Sequence, residues 1–579
     1  MIMHMSKFGE AKIPAFGIDL GTTNSCIAVI GNGNQPEVIK IAGKNTMPSC
    51  VMWEGGDSFI VGTEAYLRRG EANVVYSVKR LMGGGKKVNL KYNGISKDFE
   101  PWEISREILK SLVFEAKKGL YRNIEDVVIT VPAYFTNTQI EETKKAGEAA
   151  GLNIINMMKE PTAAALIYNR DISTINKTDL KQNCYSGSDT AKKVLLYDLG
   201  GGTFDVSVVK VSKQDSAELD NVYGLDNSGK ESILFSVVKV LGDMKLGGDD
   251  IDKILVDSIV SRLIKQGIPR NDIDETTRKK IFHIAEQWKK QGISSYRSTI
   301  SLKGQKVELS LNPSDFEKAY KAIYQKTKQI MDKVLEDPST GGRIDQIITV
   351  GGSTKAVLIQ SNLKNDFPNI PINSSLNPDE SVALGAAIQA KRSKFGDDSI
   401  NILECLAMNI GLLSNGQISN VLKAGDQIPC SNFRTFLTME EGQLGVDLDV
   451  YQGLTRYPEE CTCLGRLKLD NLETRKDVHG KILLTLFVDS NGLLSIEAEA
   501  GASGIHKLEL VNLSDSTTSN HTRASTEVVR WRRFISKLSE EQKKIGLDLL
   551  KNYEKGKINK DDVVAFMSKN KKPIEHITS

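Results

Sequence analysis

The sequence predicts an α/β domain made of two similar halves, followed by an antiparallel β-sandwich and a short helical tail. From Phe16 to about Ala390, apolar strand-like runs alternate with amphipathic helical patterns, which is typical of an α/β fold. Further along, Val446, Leu448 and Val450 alternate with aspartates at a period of two, as in antiparallel strands. After about residue 514 the chain becomes rich in serine and threonine and then follows a helical pattern.

A polar stretch near residues 391–401 separates the two patterns and sets the domain boundaries. The 579-residue chain is long enough for several domains of ordinary size. We assign residues 14–393 to the α/β domain, 394–405 to an interdomain linker, 406–514 to the β-sandwich and 515–579 to the helical tail.

The composition excludes several classes of protein. The 76 lysines and arginines nearly balance the 73 aspartates and glutamates, so the net charge of +3 gives no reason to expect a nucleic acid as partner. No run of about eighteen consecutive apolar residues occurs, so no membrane span is expected. The seven cysteines form an odd, scattered set, which favours a reducing compartment such as the cytoplasm.

The α/β pattern is clear in the middle of the first half. An apolar run from Val127 to Val131 predicts a buried strand, and Pro132 follows it. A capping box formed by Thr138 and Glu141 then predicts a helix that continues to about Ala150.

An internal duplication indicates the two halves of the domain. The segment from Phe16 to Asn24 reads as a strand, Asp-Leu-Gly and a tight turn, and the segment from Leu196 to Thr203 repeats this order. Alternating apolar residues follow each turn, so each glycine-rich segment is predicted to be the tip of a β-hairpin and not the start of a helix. The sequence has no Walker phosphate-binding motif, because the spacing in 83–87 does not fit one.

Two such hairpin tips facing each other would clamp a polyphosphate. Glycine lets backbone N–H groups approach a phosphate closely, and the hydroxyls of Thr22, Thr23 and Thr203 add hydrogen-bond donors. Asp19 and Asp198, one in each copy, are suited to hold a hydrated divalent cation.

A third glycine-rich turn, at 351–355, follows a buried-type strand and precedes a helical pattern, which suits a turn under a nucleoside base. Together these motifs resemble the actin-like ATPase superfamily and, within it, the seventy-kilodalton heat-shock chaperones of the DnaK type. The resemblance covers essentially the whole α/β domain, through the segments 19–24, 131–135, 160–165, 198–207, 246–250 and 377–380. It extends more loosely to the β-sandwich through 446–453 and 487–494.

The resemblance implies a duplicated, two-lobed actin-like ATPase domain that controls how tightly the β-sandwich binds extended apolar segments of unfolded proteins. It implies ATP or ADP with Mg²⁺ as cofactors, and K⁺ as a further candidate ion. It also implies a J-domain co-chaperone and a nucleotide-exchange factor as partners of a cytoplasmic monomer. Nucleic acids and membranes are not among the implied partners.

The resemblance also assigns site residues, position by position. The catalytic set is Asp19, Lys79, Glu160, Asp198 and Thr203, and the magnesium set is Asp19, Glu160, Asp198 and Asp205. The nucleotide-binding set is Gly21, Thr22, Thr23, Asn24, Gly200, Gly201, Gly202, Glu286, Lys289, Lys290, Gly351, Gly352, Ser353, Lys355 and Asp379, with Ser294 or Ser295 as the adenosine serine. The peptide-binding set is Val446 and Leu448. Lys79 is implied to place the attacking water and to neutralise charge on the transferred phosphoryl group.

The chain departs from the family pattern at several positions. Ile140 stands where the family has an arginine, and an aliphatic side chain cannot make charged contacts. The linker segment 397–404 is only partly apolar, Asn415 aligns with a methionine over the bound peptide, and the tail is shorter than the usual helical lid. These departures predict weaker coupling between the domains and faster release of peptide.

Other classes of function fit less of the sequence. A weakly hydrolysing or non-hydrolysing regulatory relative, acting as an exchange factor or co-chaperone, would explain the altered linker and the short tail, but not the retention of Lys79 and Glu160. A metabolic kinase of the same superfamily, or a filament-forming actin relative, would leave the C-terminal β-sandwich unexplained.

Overall fold

The computed structural model describes residues 14–508, except for 32–33, 121–122, 176–190, 215–231, 375–376, 397–399, 415, 444, 470–478 and 501–504, together with a few positions beyond 508. The helical tail predicted for residues 515–579 therefore lies outside the described residues, apart from those few positions.

The strands follow one another in three groups. The first group is β1 (Phe16–Asp19), β2 (Asn24–Ile30), β3 (Pro36–Val38), β4 (Met47–Pro48), β5 (Cys50–Trp53), β6 (Phe59–Val61), β7 (Val74–Tyr76), β8 (Val88–Tyr92), β9 (Ile95–Phe99), β10 (Asp126–Val131) and β11 (Asn153–Lys159). The second group is β12 (Lys192–Leu199), β13 (Phe204–Gln214), β14 (Ser232–Asp243), β15 (Tyr296–Leu302), β16 (Gln305–Leu311), β17 (Gln346–Val350), β18 (Ile372–Asn373) and β19 (Ile400–Cys405). The third group is β20 (Asn409–Ser414), β21 (Gln417–Leu422), β22 (Gln427–Ile428), β23 (Cys430–Glu441), β24 (Val446–Gly453), β25 (Thr462–Leu469), β26 (His479–Val488), β27 (Leu494–Ala500) and β28 (Ile505–Leu508).

The helices lie among the first two groups of strands. They are α1 (Thr63–Leu67), α2 (Pro101–Leu120), α3 (Asn137–Ala149), α4 (Glu160–Ile175), α5 (Gly248–Lys265), α6 (Glu275–Gln291), α7 (Pro313–Leu335), α8 (Val357–Asp366) and α9 (Ser381–Phe395). Among the residues described, no helix combines the length and the apolar character that crossing a membrane requires.

The α/β domain contains two main sheets with the same local topology, one in each lobe. In the first lobe the strand order is β11-β10-β1-β2-β3, and β1 pairs parallel with β10 and antiparallel with β2. In the second lobe the order is β18-β17-β12-β13-β14-β19-β22, and β12 pairs parallel with β17 and antiparallel with β13. This confirms that both Asp-Leu-Gly segments form β-hairpin tips within a mixed α/β fold.

Small residues let two helices pack closely against the first sheet and against each other. Helix α9 packs on β1 and on α4, and α4 also contacts strands of the second lobe. A Cβ on Gly385 of α9 would lie 1.8 Å from the carbonyl oxygen of Ala163, and a Cβ on Gly17 of β1 would lie 2.1 Å from the amide nitrogen of Ala387. Any larger side chain at either position would force these elements apart.

Helix α3 begins earlier than the sequence pattern indicates. Thr136 is its N-cap, and the hydroxyl of Thr136 accepts a hydrogen bond from the backbone N–H of Gln139, whose side chain accepts one from the N–H of Thr136. The prediction of a capping box at Thr138 and Glu141 was therefore wrong. The Glu141 carboxylate instead accepts a hydrogen bond from the Asn137 side chain at 2.7 Å.

The segment assigned to the linker contains regular structure. Helix α9 continues to Phe395, and residues from Ile400 onward form β19 within the sheet of the second lobe. There β19 pairs parallel with β14, from Ile400 opposite Ile233 to Leu403 opposite Ser236, and its end pairs antiparallel with β22. The chain thus leaves the α/β domain as a strand of that domain's own sheet.

The C-terminal domain contains two four-stranded antiparallel sheets, which confirms the predicted β-sandwich. Their orders are β21-β20-β24-β25 and β23-β26-β27-β28. The core between them is apolar and includes fully buried residues such as Leu412, Val450, Leu467, Leu484 and Leu486. Burying each such side chain stabilises the fold by roughly 2 kcal/mol relative to leaving it exposed.

The β-sandwich contacts the first lobe through polar groups near the ends of its strands. The backbone N–H of Asn137 donates to Oε1 of Gln452 at 2.9 Å, and Oδ1 of Asn137 accepts from the backbone N–H of Leu494 at 2.7 Å. Oδ1 of Asn491 accepts a hydrogen bond from the backbone N–H of Met157 at 2.9 Å. These bonds hold the hairpin between β26 and β27 against the edge of the first lobe.

Candidate functional site

A cleft of about 730 Å³ lies between the two lobes, where the two hairpin tips meet. The tips interlock tightly, because a Cβ on Gly201 would lie 1.8 Å from Oγ1 of Thr23. Nearly all residues assigned to the nucleotide site from sequence line this cleft: Asp19, Gly21, Thr22, Thr23, Asn24, Lys79, Glu160, Asp198, Gly200, Gly201, Thr203, Glu286, Lys289, Lys290, Gly351, Gly352, Ser353, Lys355 and Asp379.

Four assigned residues lie elsewhere, in addition to the two serines described below. Gly202 packs behind the lining, where a Cβ would lie 2.4 Å from Cγ2 of Thr22. Asp205 is buried directly across the hairpin from Asp198, outside the cleft lining. Val446 and Leu448 belong to the β-sandwich, where Leu448 is buried in the core and Val446 is half buried against it.

Buried carboxylates dominate the electrostatics of the inner cleft. Burial, with the negative charge of Glu160, raises the pKa of Asp19 to about 7. The same two causes raise the pKa of Asp205 to about 7 and that of Asp198 well above its ordinary value. Such shifts mark a site with more negative charge than its own cations neutralise.

These carboxylates fit a hydrated divalent cation. The carboxylate of Asp205 is buried, and the backbone of Tyr134 is the one hydrogen-bonding group among the causes that lower its pKa, so its oxygens keep capacity to accept from water. Among the described residues no cluster of three acidic, histidine or cysteine side chains could cage a metal ion directly. A cation that keeps several of its waters, as Mg²⁺ does, suits such a second layer of acids.

Lys79 reaches the carboxylates from a short 3-10 helix, Val78–Leu81. Its Nζ lies 2.5 Å from Oε1 of Glu160, and both side chains are largely buried. Ser77, which precedes this turn, has a φ of 53° and donates a hydrogen bond to Oδ2 of Asp249 at 2.7 Å. This contact with the second lobe fixes the turn that presents Lys79 to the cleft.

The turn after β17 closes the floor of the cleft. Gly351 has a φ of 84°, which favours glycine, and a Cβ there would lie 2.6 Å from Oδ1 of Asp198. The hydroxyl of Ser353 donates to the carbonyl of Gly200 at 2.9 Å, and Nζ of Lys355 lies 2.5 Å from Oδ2 of Asp379. The third glycine turn is therefore tied to the second hairpin tip.

Helix α6 supplies the wall at the other end. Glu286 is buried between two cations, with Arg69 at 2.5 Å and Lys290 at 2.8 Å. Burial alone would raise the pKa of Glu286, but the charges of Arg69 and Lys290 outweigh it and lower this pKa to about 2. Nζ of Lys289 lies 2.6 Å from Oδ2 of Asp252 and donates to the carbonyl of Gly248.

Several residues of the site were missed from sequence. Arg80 joins the lobes through Asp250 at 2.5 Å and through the carbonyl oxygen of Gly202 at 2.6 Å. Asp249 lines the cleft. Asp249 and Asp250 both belong to the segment 246–250, and the resemblance of that segment to the family could have identified them. The partners Arg69 and Asp252 lie far from Glu286 and Lys289 in sequence, and no local pattern marks them.

The residues at the outer end of the cleft also differ from expectation. Gly292 and Ile293 line it, and Ser294 and Ser295, one of which was expected to contact adenosine, are absent from the lining. Helix α6 ends at Gln291, with Gly292 at a φ of 104°, so the chain turns away before it reaches the serines.

Comparisons with known proteins include matches that span both domains. A sequence model of the family described as Hsp70 protein matches residues 15–562. The chain is also similar to the chaperone protein DnaK of Mycoplasmoides gallisepticum (strain R(low / passage 15 / clone 2)). The two are 32% identical over 517 residues, which cover 86% of this chain and 80% of that protein.

Proposed function

Because this chain belongs to the Hsp70 protein family, we propose that it is an ATP-dependent molecular chaperone. In this proposal the cleft binds and hydrolyses ATP, and the nucleotide state sets how tightly the β-sandwich holds extended apolar segments of unfolded proteins. The observation that carries it is the buried ion pair of Lys79 and Glu160 beside Asp19 and Asp198, in a cleft large enough for a nucleotide.

The two hairpin tips and the carboxylates provide the phosphate end of the site. Asp19 and Asp198 would hold the waters of Mg²⁺, and Glu160 and Asp205 would orient those waters. The ion would neutralise charge on the phosphate oxygens. Thr203 and the backbone of the tips would donate hydrogen bonds to the terminal phosphates.

Hydrolysis in this proposal depends on positioning and charge and needs no covalent intermediate. Lys79 would stabilise the negative charge of the phosphoryl group and place the attacking water. Its ion pair with Glu160 holds the ammonium group in the cleft, and the buried setting strengthens its electrostatic effect.

Coupling to the β-sandwich has a short structural route. Lys159 adjoins Glu160 in the chain, and a Cβ on Gly492 of the β26–β27 hairpin would lie 3.7 Å from Nζ of Lys159 and 3.3 Å from Cδ1 of Ile140. The strand β19 also joins the second-lobe sheet directly to the β-sandwich. In this proposal a change at Glu160 would reach the docked domain through contacts of one or two residues, and it would alter peptide affinity only by its differential contacts in the two states.

The peptide would bind at the β24 face of the sandwich, with Val446 and Leu448 as side-chain contacts. Because Leu448 is buried in the arrangement described, binding there requires the sandwich to open around it. The proposal keeps a J-domain co-chaperone and an exchange factor as partners of a monomer in the cytoplasm.

The test is single-turnover hydrolysis of bound ATP, with and without an extended apolar peptide. We expect turnover in the wild type, acceleration by peptide, and a loss of about a hundredfold or more in the rate for Lys79→Ala, because the phosphoryl group loses the ammonium that would stabilise its charge and place the attacking water. Lys118→Ala is the matched control, since Lys118 is exposed on α2, outside the cleft lining, and contacts Glu115 and the ring of Phe114.

Three outcomes separate the alternatives. Turnover that peptide does not change would show an active ATPase without coupling between the domains. This is the extreme case of the weaker coupling predicted from Ile140, which stands where the family has an arginine. Tight ATP binding without turnover would favour the regulatory relative that acts as an exchange factor. Unchanged turnover in Lys79→Ala would contradict the role given to this residue.

A further inference from the structure

The short 3-10 helix that carries Lys79 ends in a turn with little stiffness of its own. The turn contains three consecutive glycines, 83–85, which follow Met82. Gly83 and Gly85 have φ values of 66° and 63°, in the left-handed region that glycine adopts readily. Because glycine leaves many other conformations open as well, the position of this 3-10 helix depends on contacts from neighbouring elements.

One of these contacts is a hydrogen bond between the turn and helix α3. The backbone N–H of Gly83 donates to Oε2 of Glu142 at 2.8 Å. Glu142 is half buried. Burial raises the pKa of its carboxyl group, and the hydrogen bond from Gly83 opposes that rise. Glu142 does not line the cleft, so it can affect a bound nucleotide only through other residues.

Helix α3 also packs directly against the turn. A Cβ on Gly83 would lie 2.7 Å from Cγ of Gln139 and 3.3 Å from the backbone nitrogen of Gln139. Gln139 is itself fixed by the capping box, in which its side chain accepts from the backbone N–H and the hydroxyl of Thr136. The glycine turn therefore rests on the first two turns of α3, and Glu142 adds a directional bond to this contact.

The residue just before the N-cap of α3 contacts Lys79 itself. Nζ of Lys79 lies 5.6 Å from the centroid of the Phe135 ring, and Phe135 precedes Thr136. The stretch 135–142 thus meets both the ammonium group of Lys79 and the turn that ends its 3-10 helix. Loss of the bond to Glu142 would let the turn, and Lys79 with it, move relative to this stretch.

We propose that Glu142 is a positioning residue for ATP hydrolysis, because it holds the turn that fixes Lys79 in the cleft. The proposal rests on the function proposed above, in which Lys79 places the attacking water and stabilises the phosphoryl charge. This role depends on geometry, since a misplacement of about 1 Å can cost about a hundredfold in rate. ADP lacks the terminal phosphate that Lys79 would face, so the binding of ADP should depend little on Glu142.

The experiment compares Glu142→Ala with Glu142→Gln in the full-length protein. Single-turnover hydrolysis of bound ATP should slow by about tenfold in Glu142→Ala, whereas ADP affinity should stay within about twofold of the wild type. Glu142→Gln keeps a carbonyl oxygen that can accept from the N–H of Gly83, so it should restore the rate to within about threefold of the wild type. Glu148→Ala is the matched control, since Glu148 lies on the same helix and its side chain is 58% exposed.

Two further readouts separate positioning from a general effect on folding. Because Glu142 acts through Lys79 in this proposal, Glu142→Ala should cost no further activity in a Lys79→Ala background. Hydrogen exchange of the backbone in 78–85 should become faster in Glu142→Ala and not in Glu142→Gln, while exchange in the rest of the α/β domain stays unchanged.

The outcomes for the wild type and the variants separate the two proposals. Wild-type turnover that Glu142→Ala matched would overturn the inference and leave the proposed ATPase intact. An equal loss of rate in Glu142→Ala and Glu142→Gln, or an additive loss with Lys79→Ala, would also contradict it. ADP affinity and thermal stability that fell in parallel with the rate would show a role in folding instead of positioning. Absence of turnover in the wild type would overturn both the proposed function and this inference.

Discussion

Glu286 shows how strongly one buried residue depends on its neighbours. Its carboxylate lies in the wall of the cleft between Arg69 and Lys290, and Arg69 in turn stacks over Tyr66 at 3.6 Å. An uncompensated charge at such a position would be costly, but two cations and an aromatic ring make the charged form the favoured one. The pair joins α6 of the second lobe to the chain after α1 of the first.

This arrangement predicts a loss of stability in acid. The pKa of Glu286 is lowered from 4.5 to about 2 on folding, so the charged group stabilises the fold fully above pH 4.5, and this contribution is lost as the pH falls towards 2. In urea unfolding, Glu286→Gln should be less stable than the wild type by on the order of 2 kcal/mol at pH 7. The difference should shrink steadily between pH 4.5 and 2. A difference that stayed constant over that range would contradict the assignment.

Sequence reasoning succeeded at single residues where the chemistry is local. Asp19 and Asp198 each stand beside the glycines and threonines that serve the same site, so a short window contains the signal. It failed where a partner comes from another element. Arg69 has no motif of its own, and only the closing of the two lobes brings it to Glu286.

At the scale of single elements, β19 is the most consequential. Ile400 and Ile402 pack against the core shared by α4 and the second sheet, and β14 lies alongside. From sequence this segment is assigned to a linker, and residues 397–404 are only partly apolar. The signal that predicts a strand here was the short, mostly apolar run from Ile400 to Leu403.

Placing a charge on the buried face of β19 should release it. Ile402→Asp puts a carboxylate against an apolar cluster, which should cost about 2 kcal/mol and favour detachment of the strand. Limited proteolysis should then cleave between the domains faster, while Asn401→Asp adds the same charge on the neighbouring position as a control. Equal protection of wild type and Ile402→Asp would show that β19 does not depend on this packing.

Helix α3 shows why element boundaries are less predictable than element type. The sequence offers two capping boxes, one at Thr136 and Gln139 and one at Thr138 and Glu141. Both satisfy the same local rule, and the structure uses the earlier one. The choice leaves Asn137 at the first turn, where it binds the β-sandwich, so a contact between domains stabilises the earlier start.

For the whole molecule, the main question is how the β-sandwich stays docked. Gln452 is buried, and its side chain is the acceptor for the backbone N–H of Asn137. Removing it leaves a buried donor without a partner, which costs about 1–3 kcal/mol. This loss applies only to the docked arrangement, because the separated domains expose the same N–H to water.

Gln452→Ala should therefore shift the population towards separated domains by roughly ten- to a hundredfold. Small-angle scattering should show a larger radius of gyration, and dyes on the first lobe and the sandwich should lose energy transfer. Gln417→Ala, at an exposed position on β21, is the control. If both variants scattered like the wild type, Gln452 would not hold the domains together.

The contacts that join the two lobes beside the cleft should affect how fast a bound molecule leaves it. Three contacts join the first lobe to the second beside the cleft: Arg69 with Glu286, Tyr66 with Lys290, and Arg80 with Asp250. A molecule held in the cleft escapes only when the lobes part and these pairs break. If the proposed function holds, the release of spent nucleotide would depend on these contacts, and salt would weaken the half-exposed contact of Lys290 more than the buried pair of Arg69 and Glu286.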